Sequence, residues 1–216
     1  MSELASEPET SLHPPSVAAE HAVRKRPKPG ERRVQILEAL ATMLEKPGAE
    51  RITTSALAAT LDVSEAALYR HFASKAQMFE GLIEFIEQSV FTLVNQITEH
   101  ETDYATRTRM LVAMVLHFAE KNPGMTRVMV GDALVFENER LQERMNQFFD
   151  KIESSLKQSL RDAAVASGVP TPTVDARVRA SVVVAFMVGR LQRFARSGFK
   201  RVPSEHLEAS LAMLLG

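Results

Sequence analysis

ITTSALAATLDVSEAALYRHFASK, residues 52–75, decides the fold. The hydroxyls of Thr53 and Thr54 can accept from the free N–H groups of a helix's first turn, so a short helix starts here and runs through Thr60. Ser64 offers the same cap to a second short helix that reaches about Arg70, which leaves Leu61-Asp62-Val63 as a three-residue turn. Leu57, Leu61, Val63, Leu68 and Phe72 can hold the two helices together. Two short helices joined by such a turn spell a helix-turn-helix.

That unit has a mechanism. With its apolar side turned inward, the N-terminus of the second helix is left free to enter a major groove about 12 Å wide, so residues 64 to 70 form the inserted rod. Ser64, Ala66 and Ala67 are small enough for close approach, with Glu65, Tyr69 and Arg70 on the same short helix. Thr53 and Thr54 flank it at one helix start, and Tyr69, His71, Ser74 and Lys75 at another, all donors suited to phosphate oxygens. Such contacts position a protein on duplex DNA; base edges beside the rod specify the site.

Outward toward the N-terminus, charge accumulates. Residues 21 to 75 carry ten Lys or Arg against six Asp or Glu, while residues 76 to 216 carry sixteen against seventeen and the whole chain sums to −1. Six of the ten, Arg24, Lys25, Arg26, Lys28, Arg32 and Arg33, fall just before the first periodic segment. Both a contact to phosphate or minor groove and a solvated run fit them. Residues 1 to 30 hold five of the ten prolines and no periodicity, so they read as a disordered, basic-ended arm. Val34, Leu37, Ala41 and Leu44 then recur at helical steps, predicting a helix over 31–46 that Pro47-Gly48 stops. Residues 31–75 are thus expected to form the DNA-binding domain.

Outward toward the C-terminus, every remaining segment reads as helix, so the chain is expected to be all-α. Ser74 with Gln77 predicts a capping box in which each side chain satisfies the other's backbone N–H. Along the helix that follows, Phe79, Leu82, Ile83, Ile86, Val90, Leu93, Val94 and Ile97 lie on one stripe, and Phe85 lies well off it. An exposed contact and packing beneath the DNA-binding domain are both open to Phe85. A fifth helix over 103–121 is apolar almost all round between Met110 and Ala119 and is expected to be the buried centre, with His117 a core histidine in it. Pro123-Gly124 breaks it, a short element reaches about Phe136, and Leu141, Met145, Phe148, Ile152, Leu156 and Leu160 mark a long seventh helix that Gly168–Thr173 ends.

The last two helices, 174–196 and 204–215, put Val174, Val178, Val182, Phe186 and Gly189 on one face, followed by Leu207, Leu211 and Leu214. Such a face needs a partner. A second copy of the chain, packed as a four-helix interface, is one; the chain's own core is the other. The body 76–216 is therefore expected to serve dimerisation and partner binding.

What is missing excludes whole classes. With no Cys there is no disulfide scaffold, thiolate metal site or cysteine nucleophile. No G-x-G, P-loop or G-x-S-x-G stands anywhere, and no His follows a Glu by three positions, so neither phosphate loops nor helical di-iron sites are expected. The chain is expected to be no enzyme, and to need no cofactor and no metal. Its first twenty residues hold four acids, no Lys or Arg and no apolar run, so they do not read as a secretory signal. The longest strongly apolar run, Val182 to Val188, is far short of the roughly twenty residues that span a bilayer. No membrane partner is expected, and the cytoplasm is the expected home.

Leu-Tyr-Arg-His-Phe-Ala-Ser-Lys, residues 68–75, resembles the signature of TetR-type DNA-binding domains. The family often has Gly where this chain has Asp62, and Asp tolerates a left-handed backbone better than most residues. A narrower resemblance, to the nucleoid-occlusion factors of that family, runs through Ser64–Phe72, through Leu-Ile-Glu-Phe-Ile-Glu (82–87), through Asn-Pro-Gly-Met-Thr-Arg (122–127) and through residues 133–149. It implies a homodimer on palindromic chromosomal sites, nucleoid-associated, that antagonises polymers of the division protein FtsZ so that septa do not close over DNA. One dimer per site and several are both compatible with it. It implies further that the surface facing FtsZ includes Phe85, Leu93, Met114, His117, Lys121 and Asn122. Two of these depart from the pattern, which has Arg at Leu93 and Gly at His117. The alternative is a TetR-type repressor released from its operator by a small molecule held in the body.

Overall fold

The computed structural model of the chain describes residues 30–46 and 51–215. The arm up to residue 29, with Arg24, Lys25, Arg26 and Lys28 of the basic run, and the Pro47-Gly48 stop lie outside the described residues. Nine α-helices follow in order among the described residues: α1 (Glu31–Leu44), α2 (Thr54–Thr60), α3 (Glu65–Tyr69), α4 (Lys75–His100), α5 (Tyr104–Lys121), α6 (Pro123–Met129), α7 (Glu139–Ala166), α8 (Pro172–Arg196) and α9 (Leu207–Leu215). A 3-10 turn, Asp132–Leu134, leads into α7. The expected all-α architecture is what the chain adopts.

The first three helices close over Ile36, Leu40, Leu44, Leu57, Leu68 and Phe72, all fully or nearly fully buried. This unit sits on the body through α4 and α6. Gly124, in the first turn of α6, lies so close to α1 that a Cβ there would stand 1.9 Å from the carbonyl oxygen of Ala41. A bare backbone is therefore required at that seat. Pro123 occupies the first turn of α6, where a missing N–H costs nothing, so the Pro-Gly pair that ends α5 also opens α6.

The body is a bundle in which α7 runs against α8 along its length and α5 packs between α4 and α7. All six expected positions of α7, from Leu141 to Leu160, are buried. Two ion pairs tie α4 to α7: Arg140 to Glu80 at 2.5 Å and Arg144 to Glu87 at 2.6 Å. Arg144 donates to the Glu87 carboxylate, and that hydrogen bond raises the guanidinium above its ordinary range.

Three expectations need correction. Leu93, placed by periodicity on the core stripe of α4, is 38% exposed while Val94 beside it is buried. Val90 and Val94 carry the packed side of α4 here, and Leu93, one position before Val94, falls outside it. His117 is exposed, not a core histidine, because it points opposite the buried side made by Val112, Val115, Leu116 and Ala119. The apolar neighbours that made α5 read as buried all round include Met110, 41% exposed, and the half-buried Ala113 and Met114. Leu207 and Leu211, expected to face a partner copy, are buried in the chain's own core, where α9 folds back on α8.

Candidate nucleic-acid interface

The reading unit is set by bonds between near neighbours. Thr53 Oγ1 accepts from the N–H of Ala56 at 3.1 Å and caps α2, and Ser64 Oγ accepts from the N–H of Ala67 at 3.3 Å and caps α3. Each satisfies one of the donors that a helix start leaves over. Between them α2 ends in a Schellman motif: the N–H of Val63 donates to the Ala58 carbonyl at 3.1 Å and that of Asp62 to Ala59 at 3.2 Å. Asp62 holds the left-handed position this motif requires, with φ 53°. The turn geometry that the family often builds on Gly is thus kept by Asp.

Ser64, Glu65, Ala66, Tyr69, Arg70 and His71 are exposed, and Ala67 is half-buried. Leu68 and Phe72 face inward and carry the helix. Thr54 donates its hydroxyl to Glu65 Oε2 at 2.6 Å and receives Tyr69 OH at 3.5 Å, so an acid that would otherwise repel phosphate is held sideways by a hydroxyl. Arg70 makes no ion pair among the described residues. Arg33, the last residue of the basic run, donates to the His71 carbonyl at 2.8 Å and stacks 4.1 Å over the Phe72 ring. Its task in the free protein is to brace the end of α3, a role the run of charges in sequence did not suggest.

Two expected donors behave differently from their sequence reading. Ser74 caps α4 by accepting from the N–H of Gln77 at 3.2 Å, but Gln77 Oε1 reaches back to the N–H of Ala73, not of Ser74, at 2.8 Å. The capping box is shifted by one residue. Lys75 does not project free from the surface: its Nζ lies 2.5 Å from Glu137 Oε1 on the loop before α7. Glu137, 62 positions further along the chain, gave no local signal.

The residues assigned to the second surface sit on α4 and α5 and the turn after them. Phe85 is 47% exposed, so packing beneath the DNA-binding domain is not its environment. His117 and Lys121 are exposed, Met114 is half-buried against the core, and Asn122 Nδ2 donates to the Phe118 carbonyl at 2.7 Å. On α8 an uncovered stripe consists of Val174, Val178 and Val182, 63%, 60% and 47% exposed, with Phe186 and Gly189 partly exposed beyond it. Val90 of α4, Val112 of α5, Phe148 of α7 and Val183 of α8 are all fully buried. A cleft of about 310 Å³ lies beside Thr108, Arg109, Asp175 and Arg179. Among the described residues no group of His, Asp or Glu could hold a metal ion, and no helix is long and apolar enough to cross a membrane.

Residues 36–82 match the family described as bacterial regulatory proteins, tetR family, and residues 102–215 match the SlmA-like tetracyclin repressor-like C-terminal domain. The chain is 50% identical over 188 residues to the nucleoid occlusion factor SlmA of Vibrio vulnificus, covering 87% of this chain and 95% of that one. It is 52% identical over 182 residues to the nucleoid occlusion factor SlmA of Photobacterium profundum, covering 84% and 92%. Among solved structures it resembles the TetR family transcriptional regulator PfmR from Thermus thermophilus, with TM-score 0.69, 22% identity, and coverage of 84% of this chain and 97% of that one. That likeness shows the shared fold.

Proposed function

From the chain's membership in the TetR family, a family of DNA-binding regulators and not of enzymes, and within it among the SlmA nucleoid occlusion factors, we propose that it sits on palindromic chromosomal sites as a homodimer and there antagonises FtsZ polymers. Nucleoid occlusion is the role its half-identical relatives carry in their names, and the likeness extends through the body as well as the reading unit. That extent is the observation that carries the reading. A protein that shared only the operator-binding half would match in residues 36–82 alone.

In this reading α3 enters the major groove by its N-terminus, with Ser64, Glu65, Ala66, Ala67 and Arg70 nearest the bases and Thr53, Thr54, Tyr69, His71 and Ser74 toward the backbone. The small side chains and the outward caps favour it. Val178 and Val182, with Phe186 and Gly189, supply the uncovered half of a twofold interface, since a contiguous apolar stripe on a helix otherwise faces water. Phe85, Leu93, His117 and Lys121, with Met114 and Asn122 beside them, face FtsZ. Exposed aromatic and aliphatic groups next to a cation suit a segment that is itself apolar and acidic.

α4 opens at the reading unit and carries Phe85 a few turns later, so in this reading DNA binding favours the state of α4 that engages FtsZ, and that coupling is reciprocal in binding free energy. FtsZ pelleting is the test. The pellet should fall when chain and palindromic duplex are added together, and fall less with either alone. An unchanged pellet overturns the FtsZ part and leaves DNA binding standing.

A further inference from the structure

Residues 51–75 contain three Lys or Arg side chains, Arg51, Arg70 and Lys75, and these are the cations the reading unit can offer to a duplex. Two are taken up by consecutive residues of one body loop. The guanidinium of Arg51 stacks 4.6 Å over the ring of Phe136, and the ammonium of Lys75 pairs with Glu137 at 2.5 Å. The Glu137 side chain is 9% exposed and that of Lys75 30%, so the carboxylate is the more deeply held partner. It has no other ion-pair partner among the described residues.

A carboxylate so placed loses more by losing its cation than a phosphate in water gains by acquiring one. Pulling Lys75 away would strand Glu137 in poorly solvated surroundings, whereas a DNA phosphate already has mobile counterions around it. We propose that Glu137 limits DNA affinity: it cancels the charge of Lys75 at the edge of the DNA face, so that the body sets how many cations the reading unit brings to the duplex. This rests on the assignment of the α2–α4 face to DNA, and it adds a specific residue outside that face which tunes the binding.

Counterion release supplies the measurement. A Lys freed to neutralise one more phosphate steepens the dependence of log K on log salt by about 0.9, so affinity drops by an additional factor of about 3.5 between 50 and 200 mM salt. Full-length chain and its Glu137→Gln variant are titrated with a palindromic duplex and with random duplex across that range. Glu137→Gln should bind both duplexes more tightly at low salt and show the steeper slope, and adding Lys75→Gln should abolish that gain. Circular dichroism checks the fold of each variant, and Glu137→Ala repeats the measurement without the amide's own hydrogen bonds. Folded Glu137 variants with the parent slope, or a gain that survives Lys75→Gln, overturn the inference. If the unaltered chain binds neither duplex, it is the assignment of the DNA face that fails.

Discussion

In residues 51–75 the bonds that fix the backbone join neighbours: Thr53 with Ala56, Ser64 with Ala67, Val63 with Ala58. In the body the bonds that fix one helix on another join residues far apart in the chain, Glu87 with Arg144 and Glu80 with Arg140. The reading unit therefore owes its shape to local chemistry, and the body owes its shape to packing. The two are joined where Gly124 meets the backbone of α1. From this contrast it follows that damage to the body or to the joint should be large, and damage to a local turn small.

The largest effect is expected on the uncovered stripe. If the proposed twofold interface holds, Val178→Asp would bury two like charges across it and should weaken the dimer by about 4 kcal/mol, roughly a thousandfold in dissociation constant, without unfolding the exposed site in the monomer. Sedimentation equilibrium reads it, and an unaltered dimer would put the interface elsewhere. Next is the joint. Gly124→Ala has no room for its methyl against a backbone oxygen and should cost about 3 kcal/mol in urea unfolding, because neither helix can yield cheaply. A loss under about 1 kcal/mol would mean that α6 can slide on α1. The smallest effect concerns the turn. Asp62→Gly should leave stability within about 0.5 kcal/mol of the parent, while Asp62→Val, β-branched at positive φ, should cost about 1.5 kcal/mol. Equal values for the two would show that the left-handed turn is not what Asp62 is selected for.

The same contrast decides what could be read without coordinates. Caps and turns depend on residues three to six apart, so Thr53, Ser64 and Asp62 announce their roles in the sequence. The shift of Gln77 from Ser74 to Ala73 is within the tolerance of such reasoning. Periodicity tells that a helix has an apolar face but not what covers it. For that reason Val178 and Val182 emerge uncovered, while Leu207 and Leu211 of the same expected face are closed over by their own chain. His117 shows the opposite failure: neighbours in sequence are apolar, yet the helix turns the imidazole away from them. Lys75 with Glu137 and Arg33 with His71 were illegible, since nothing near either partner marks the other.

The missing side chain at position 124 has a consequence for anyone who would re-target the molecule. A foreign operator-reading head grafted onto this body inherits a socket shaped for naked main chain, so the graft succeeds only if its first helix offers a carbonyl at the same height. Swapping specificity is therefore a matter of matching a contour on the far side of the head from the DNA, and helices chosen for their base contacts alone will rock in the socket.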